Sequence, residues 1–265
     1  MNIMNTSCSM LQTRALLANS ADVTALRHHI AALEHRSSAL CSSVVGTGLS
    51  KSWWLGVPAL DAALPETGLM VDGLHEAAGA TVADGPTASA FLAALLARFT
   101  DDDRGNPVLI CQSRHGMARF GRVHGPGWRD LGLEPANLLV LRAGRDGDVP
   151  WAIEEGLRCG VLAAVLAEVE ELSFTASRRL SLAAREGATP ALLVRHDGLG
   201  SASAACTRWR VSALPGGSDP FDEDAPGLPR WQLELVRCRG GRPVTCNVEW
   251  NRETGNFHMA AALAD

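Results

Sequence analysis

The fold is decided by the stretch Leu74-His75-Glu76-Ala77-Ala78-Gly79-Ala80-Thr81-Val82-Ala83-Asp84-Gly85-Pro86-Thr87. A short apolar run enters a glycine, a loop follows, and apolar residues then recur at helical spacing from about residue 86 to residue 99. A strand, a glycine-containing loop and a helix in this order are typical of a loop that binds the phosphates of a nucleotide. The stretch therefore predicts an α/β fold with the layout of a nucleotide-binding protein.

The chemistry of nucleotide hydrolysis is missing from this loop. A functional loop needs a lysine that reaches the terminal phosphates and a hydroxyl that holds Mg²⁺. Where the consensus loop has Gly-Lys-Ser/Thr, the chain has Gly85-Pro86-Thr87, one residue further along the sequence. A proline therefore takes the place of the lysine and removes an N–H donor. Asp84 adds negative charge where phosphates would lie. Taken alone, the loop is better explained as only a glycine-rich turn before a helix.

The residues that remain from the phosphate-binding pattern are Gly79, Gly85 and Thr87. We expect this degenerate loop to be non-functional, and we expect no cofactor and no bound metal, although residual ATP binding stays open. The chain contains no cysteine and histidine spacing of the zinc type.

Strands and helices alternate through most of the chain. The apolar runs predict strands at residues 73–78, 107–112, 137–142, 161–167 and 190–195. Helical periodicity predicts helices at about 86–99, 114–122, 149–159 and 174–186. Strands that are separated by crossover helices form a mainly parallel sheet with helices on both faces.

The C-terminal part has a different pattern. Residues 230–239, 243–251 and 256–262 alternate apolar and polar side chains with tight turns between them, as in an antiparallel meander. We therefore divide the chain into an N-terminal tail, helix and linker (1–52), a core (53–214), a flexible loop (215–229) and an antiparallel extension packed on the core (230–265). Residues 22–36 are predicted to form an amphipathic helix, whereas residues 1–21 have no clear periodicity.

Composition limits the classes of function. The 265 residues have a formal net charge of −5, so contact with nucleic acid would require a local basic patch. The seven cysteines are an odd number without paired spacing, which favours a reducing compartment. The N-terminus lacks the pattern of a signal peptide, and no apolar run approaches the roughly 20 residues that cross a membrane. These features predict a cytoplasmic protein without membrane contact.

Over most of residues 53–250 the sequence resembles bacterial RecA recombinase, and it is more similar to the ImuA family, RecA-like accessory proteins of bacterial damage-induced mutagenesis. The RecA likeness rests on residues 56–64, 74–79 and 131–140. The ImuA likeness rests on the stretches Ala205-Cys206-Thr207-Arg208-Trp209-Arg210-Val211 and Trp231-Gln232-Leu233-Glu234-Leu235-Val236-Arg237-Cys238-Arg239-Gly240-Gly241-Arg242-Pro243. The resemblance implies a RecA-like core within the P-loop NTPase fold.

The positions at which this sequence differs from the RecA pattern are those of the catalytic residues. Arg114 stands where RecA proteins carry the glutamate that activates water, and a cation cannot be that base. Glu168 stands in the place of the aspartate that faces Mg²⁺. We interpret Glu168, together with Glu170 and Glu171, as a strand end that passes into a solvated helix start, in preference to a metal site.

Two groups of arginines are candidates for contact with a partner or with DNA. Arg208 and Arg210 flank Trp209, and Arg237, Arg239 and Arg242 lie on the predicted hairpin. Alternation along a strand places Arg208 and Arg210 on the same face of the sheet. It likewise places Arg237 and Arg239 on the same face. The alternative, that these arginines form the solvated outer face of a sheet, is equally well supported. Residues 198–204, which correspond to a DNA-binding loop of RecA, are small and uncharged and poorly suited to hold a DNA backbone.

The resemblance implies a non-catalytic, RecA-like adaptor of the SOS response that supports error-prone translesion DNA synthesis. The implied partners are an ImuB-like Y-family polymerase homologue and an error-prone replicative-type DNA polymerase, with RecA itself and weak DNA contact as further interactions. Residues 22–36 and the C-terminal meander are the expected docking elements. The alternatives are an ATPase with an atypical phosphate loop and a cell-division inhibitor of the SulA type.

Overall fold

The structure of the protein is a computed structural model. It describes the backbone of residues 14–18 together with residues 53–100, 106–145, 147–217, 225 and 227–260. The helix predicted at residues 22–36 lies outside the described residues.

The described strands form one sheet of ten. They are β1 (Arg14–Ala18), β2 (Leu74–Gly79), β3 (Val108–Gln112), β4 (Leu138–Ala143), β5 (Ala164–Val169), β6 (Ala191–Arg195), β7 (Thr207–Leu214), β8 (Arg230–Cys238), β9 (Val244–Asn251) and β10 (Asn256–Met259). Their order is β1-β4-β3-β5-β6-β2-β7-β8-β9-β10. Neighbours from β1 to β7 are parallel, and those from β7 to β10 are antiparallel. This confirms the predicted α/β class, with a mainly parallel sheet and a C-terminal antiparallel extension.

Six helices are described, and serine residues cap the start of two of them. They are α1 (Pro58–Asp61), α2 (Gly85–Thr100), α3 (Arg114–Phe120), α4 (Gly125–Asp130), α5 (Asp148–Arg158) and α6 (Phe174–Glu186), with short 3₁₀ turns at Val82–Asp84 and Pro135–Asn137. Ser113 caps α3, since its hydroxyl accepts a hydrogen bond from the N–H of Gly116 at 2.8 Å. Ser173 caps α6 in the same way.

Each face of the sheet has its own apolar core, because alternate residues of a strand point to opposite faces. On one face α2 packs against both the parallel strands and the antiparallel extension: the ring of Phe91 lies 5.4 Å from Trp209, 6.3 Å from Trp231 and 6.0 Å from Phe257. On the other face α5 and α6 cover the parallel strands. The extension has no such cover among the described residues, and its outer side chains are polar.

The carboxyl ends of the parallel strands β2, β3, β4, β5 and β6 lie along one edge of the sheet, which is where open α/β sheets bind ligands. The residues that carry the functional predictions follow these strand ends. Among the described residues, no helix is both long and apolar enough to cross a bilayer.

Candidate functional site

The degenerate phosphate loop is closed by its own aspartate. One oxygen of Asp84 accepts hydrogen bonds from the hydroxyl of Thr81 at 2.7 Å and from its backbone N–H at 3.0 Å. The other oxygen accepts from the N–H of Ala213 on β7 at 3.0 Å. The N–H of Ala80 donates to the carbonyl of Val211 at 2.8 Å. The backbone donors of Ala80, Thr81 and Ala213 are therefore bonded within the protein.

The carboxyl group of Asp84 is held in its charged form. Burial by itself raises its pKa, but the hydrogen bonds from Ala213 and Thr81 outweigh this effect and place the pKa of Asp84 below its ordinary value. A carboxylate that accepts several N–H and O–H bonds in a loop resembles, in charge and geometry, a bound phosphate oxygen. Asp84 therefore acts as an internal anion in the loop.

The glycines of the loop allow neighbouring atoms to pack closely against its backbone. A Cβ atom at Gly79 would lie 2.6 Å from backbone atoms of Asp84 and Thr81, so a side chain there would force the loop open. A Cβ atom at Gly85 would lie 2.8 Å from the ring of Phe120. Thr87, the third residue of the predicted set, is half-buried in the first turn of α2. Gly79, Gly85 and Thr87 lie in the loop and the first turn of α2, and their role with a nucleotide stays a prediction.

Beside the loop lies a cavity of about 310 Å³, lined by loop residues and by Arg119, Phe120, Arg195 and His196. The ring of Phe120 stacks against His196 with 4.9 Å between ring centres. Arg195 is bound to carboxylates, while the guanidinium of Arg119 lies 5.2 Å above the ring of Phe120.

Glu168 is a buried residue, which corrects the interpretation that it belongs to a solvated helix start. It lies in β5 and is 9% exposed, because α3 crosses directly over it. Its Oε1 accepts a hydrogen bond from Gln112 at 3.3 Å, and its Oε2 lies 3.9 Å from Nε2 of His196. A Cβ atom at Gly116 would lie 2.2 Å from Oε2, so glycine is needed where α3 crosses. Glu170 is half-buried and Glu171 is exposed.

Arg114 is the first residue of α3, directly after the capping serine, and its side chain is exposed. The structure thus places it just beyond the carboxyl end of β3. A guanidinium at this position supplies positive charge and no general base.

The arginines predicted to contact a partner, Arg208, Arg210, Arg237, Arg239 and Arg242, are named here the extension arginines. Arg208 differs most from the expectation of an exposed side chain. It is 7% exposed and its Nε donates to Glu76 at 2.8 Å. Glu76 is fully buried in β2 and also accepts from Arg195 at 3.0 Å and from Ser203 at 2.7 Å. The expectation that Arg208 is exposed was wrong, because its guanidinium pairs with this buried carboxylate, its register neighbour on β2.

The other extension arginines are exposed. Arg210 pairs with Glu234, its register neighbour on β8, at 2.5 Å. Arg237 donates to the carbonyl of Ser203 at 3.0 Å, and Arg239 donates to that of Ala204 at 3.1 Å. Within the described residues, the side chain of Arg242 has no ion pair or hydrogen bond, and its backbone N–H donates to the carbonyl of Ala63 at 2.9 Å. Whether these four contact a partner or DNA stays a prediction.

The loop after β6, which includes residues 198–204, is hydrogen-bonded to the rest of the protein. Arg195 donates to Ser201 at 3.0 Å, and the N–H of Ala204 donates to the hydroxyl of Ser177 on α6 at 3.1 Å. Ser203 also donates to Glu76 on β2, and Arg237 and Arg239 add two bonds from the end of β8, so that five hydrogen bonds hold residues 201–204. The loop is therefore anchored to the rest of the protein at several points.

Sequence reasoning missed the residue at the centre of this network, Glu76. A signal was present, since a carboxylate stands in the middle of an otherwise apolar strand, and buried carboxylates require cationic partners. What the sequence could not supply was the register that places Arg195 and Arg208 on either side of it.

Comparisons with known proteins agree with the resemblance read from the sequence. No protein-family model matches the chain. The chain is similar to Protein ImuA of Caulobacter vibrioides strain NA1000 / CB15N, with 36% identity over 226 residues, which cover 79% of this chain and 89% of the relative. Protein ImuA of Caulobacter vibrioides strain ATCC 19089 / CB 15 gives the same values.

Proposed function

The chain belongs to the ImuA family, and on that premise we propose that it is a non-catalytic, RecA-like adaptor that supports damage-induced, error-prone DNA synthesis. Its role is to bind polymerase-type partners. The expected partners are an ImuB-like Y-family polymerase homologue and an error-prone replicative-type DNA polymerase, with RecA and weak DNA contact as further interactions. These assignments come from the family resemblance.

The observation that carries the non-catalytic part of the proposal is the closure of the phosphate loop by Asp84. A nucleotide phosphate would have to displace a carboxylate that already accepts three hydrogen bonds from the loop and β7. It would also meet like charge, with Pro86 where a lysine would compensate. Both effects oppose phosphate binding, and both arise from residues in the loop itself.

Nucleotide binding without the usual lysine is the second candidate function. The cavity beside the loop favours it, because Arg119 lies on its wall and could supply a cation. Arg195, the other arginine of the wall, is bound to Glu76 and Asp197 and is not free to turn toward a ligand.

The adaptor role requires a surface for a protein partner, and α6 offers one. Phe174 and Leu182 are 51% and 50% exposed, and exposed Arg178 lies between them at helical spacing. Exposed apolar side chains grouped with arginine are typical of protein interfaces. This face adds a third docking element to residues 22–36 and the strands β8 to β10.

The test of the non-catalytic role is calorimetry with ATP and with ADP in the presence of Mg²⁺, together with a steady-state ATPase assay. We expect no binding heat and no turnover. An Asp84→Gly variant, which frees the loop donors, serves as the comparison and is expected to gain weak affinity for phosphate. Tight ATP binding with turnover by the wild-type protein would overturn the proposal and favour the ATPase.

The test of the adaptor role is copurification from the native host after DNA damage. We expect a polymerase homologue to copurify, whereas recovery of the tubulin-like division protein in its place would favour the SulA-type inhibitor. The double variant Phe174→Ser, Leu182→Ser should weaken recovery on the order of tenfold or more. Val82→Ser, which removes an equally exposed apolar side chain elsewhere, is the matched control.

A further inference from the structure

A second group of arginines lies at the carboxyl edge of the sheet, after β3 and β4. We name Arg119, Arg122, Arg142 and Arg145 the edge arginines. Arg119 is in the last turn of α3, Arg122 follows that helix, Arg142 is near the end of β4 and Arg145 follows β4. Arg119, Arg122 and Arg145 are exposed, and Arg142 is half-buried. Within the described residues, none of the four forms an ion pair with a carboxylate.

The geometry around Gln112 fixes Arg122 beside Arg142. The side chain of Gln112 accepts a hydrogen bond from the N–H of Val123 at 2.9 Å and donates to the carbonyl of Gly121 at 3.3 Å. These bonds hold the two residues that flank Arg122. Gln112 is also the register neighbour of Arg142 on β4. Two arginines are therefore held close together by a buried side chain.

The proximity of these two cations has an electrostatic cost. Partial burial and the nearby charge of Arg122 both lower the pKa of Arg142. The Nε of Arg142 is buried and has no hydrogen-bond partner in the described part of the chain. Like charges held together beside an unsatisfied donor favour the binding of an anion, because an anion relieves the repulsion and satisfies the donor.

The surroundings of the edge arginines contain aromatic rings. Arg122 and His124 lie at the rim of a cavity of about 270 Å³ whose walls include Phe120 and Trp128. Glu168 also lines this cavity, but it is buried and bonded to Gln112. Cations that alternate with half-buried aromatic rings suit a strand of nucleic acid, whose phosphates pair with arginine and whose bases stack on rings.

An acidic protein segment is the competing ligand, and the surface chemistry disfavours it. Protein interfaces are built around exposed apolar side chains. The large apolar side chains that are exposed in the described residues are Trp54, Val82, Phe174, Leu182 and Met259. None of them belongs to the edge between β3 and β4.

We propose that the edge arginines bind the phosphate backbone of single-stranded nucleic acid. This inference rests on the DNA contact within the proposed function and gives that contact a site. The site differs from the extension arginines and from the tied-down loop after β6. It requires no nucleotide and no partner protein.

The experiment measures binding of the full-length protein to a fluorescein-labelled oligo(dT) strand of about 30 nucleotides by fluorescence anisotropy, at salt concentrations from about 50 mM upward. The test variant is Arg119→Gln, Arg122→Gln, Arg145→Gln, which leaves half-buried Arg142 in place. We expect affinity at low salt to fall by about tenfold or more. The slope of log Kd against log salt should decrease by about 2, since each lost phosphate contact on a single strand contributes about 0.7.

The matched control is Arg237→Gln, Arg239→Gln, Arg242→Gln, which removes the same number of charges from the antiparallel extension. Thermal melting by circular dichroism verifies that both triple variants fold. Equal loss in both variants, or no binding by the wild-type protein, overturns the assignment of the site. Loss of binding to an acidic peptide, with oligo(dT) binding unchanged, overturns it in favour of a protein ligand. Copurification and calorimetry test the adaptor role independently of all these outcomes.

Discussion

The extension arginines and the edge arginines are alike in residue type and differ in what surrounds them. Among the extension arginines, Arg208 and Arg210 on β7 bind carboxylates, and Arg237 and Arg239 bind backbone carbonyls. At the edge formed by β3 and β4, the guanidinium groups have no carboxylate partner within the described residues. The comparison teaches that a basic cluster in a sequence predicts a binding surface only where the fold leaves its charges without internal partners.

The largest expected effect tests the innermost of the extension arginines. Glu76→Gln removes the carboxylate that Arg195 and Arg208 share, which leaves buried Arg208 without its ionic partner and Arg195 with Asp197 alone. We expect the free energy of unfolding to fall by about 3–5 kcal/mol, measured by urea denaturation.

A companion variant separates charge from packing. Glu76→Leu combined with Arg195→Met and Arg208→Met removes the three buried charges, retains comparable volume and leaves only the exposed Asp197 charged, so it should recover most of the lost stability. A loss below about 1 kcal/mol for Glu76→Gln would contradict the internal role given to Arg208.

The second prediction concerns the two arginines that hold the loop after β6. Arg237→Ala with Arg239→Ala removes the hydrogen bonds to the carbonyls of Ser203 and Ala204. We expect a loss of about 2 kcal/mol, about 1 for each bond, and faster amide exchange in residues 198–204 by mass spectrometry. Arg242→Ala should leave both measurements unchanged, and an equal effect of Arg242→Ala would show that the loop is not held in this way.

The third prediction concerns a charge reversal among the edge arginines that should stabilise the protein. Arg122→Glu replaces a repulsion on Arg142 with an attraction, so the protein should become more stable by about 0.5 kcal/mol in thermal or urea denaturation. Arg122→Gln, which removes the repulsion alone, should fall between the two. A destabilising effect of Arg122→Glu would mean that Arg142 already has a carboxylate partner.

The smallest effect is expected at the exposed pair of Arg210 and Glu234. Because both side chains are well exposed, Arg210→Gln should change the free energy of unfolding by less than about 0.5 kcal/mol. The difference should disappear at about 1 M salt, where exposed charges are screened. A larger effect that persists in salt would place Arg210 with Arg208 among the structural residues.

Much of the fold could be predicted from the sequence, because its elements are local. Apolar runs located β2 to β6 to within a few residues, and period-two alternation located β8 to β10. Strand β1 was missed, since five residues without alternation or flanking turns give no strand signal. The short helices α1 and α4 were missed because one turn is too short for periodicity.

The site could be predicted only in its local part. The loop from Gly79 to Thr87 and the loss of its lysine are visible in adjacent residues. The hydrogen bond from Ala213 to Asp84 joins residues that are far apart in sequence, and so does the ion pair of Arg208 with Glu76. Such contacts depend on strand order and register, which the sequence pattern of a single chain does not specify. The division into four parts and the partner roles of the exposed extension arginines stay predictions.

Asp84 differs from a bound phosphate in one thermodynamic respect: its effective concentration is set by the chain and cannot be diluted. A protein that is stabilised by a free ligand responds to that ligand's concentration through mass action. Loop donors that are occupied from within give no such response, so the melting temperature of this protein should not depend on the supply of ATP. On the proposed function, the adaptor would not be timed by a cycle of binding and hydrolysis at this loop. Its activity would be governed by how much of the protein is made and by how tightly its partners bind.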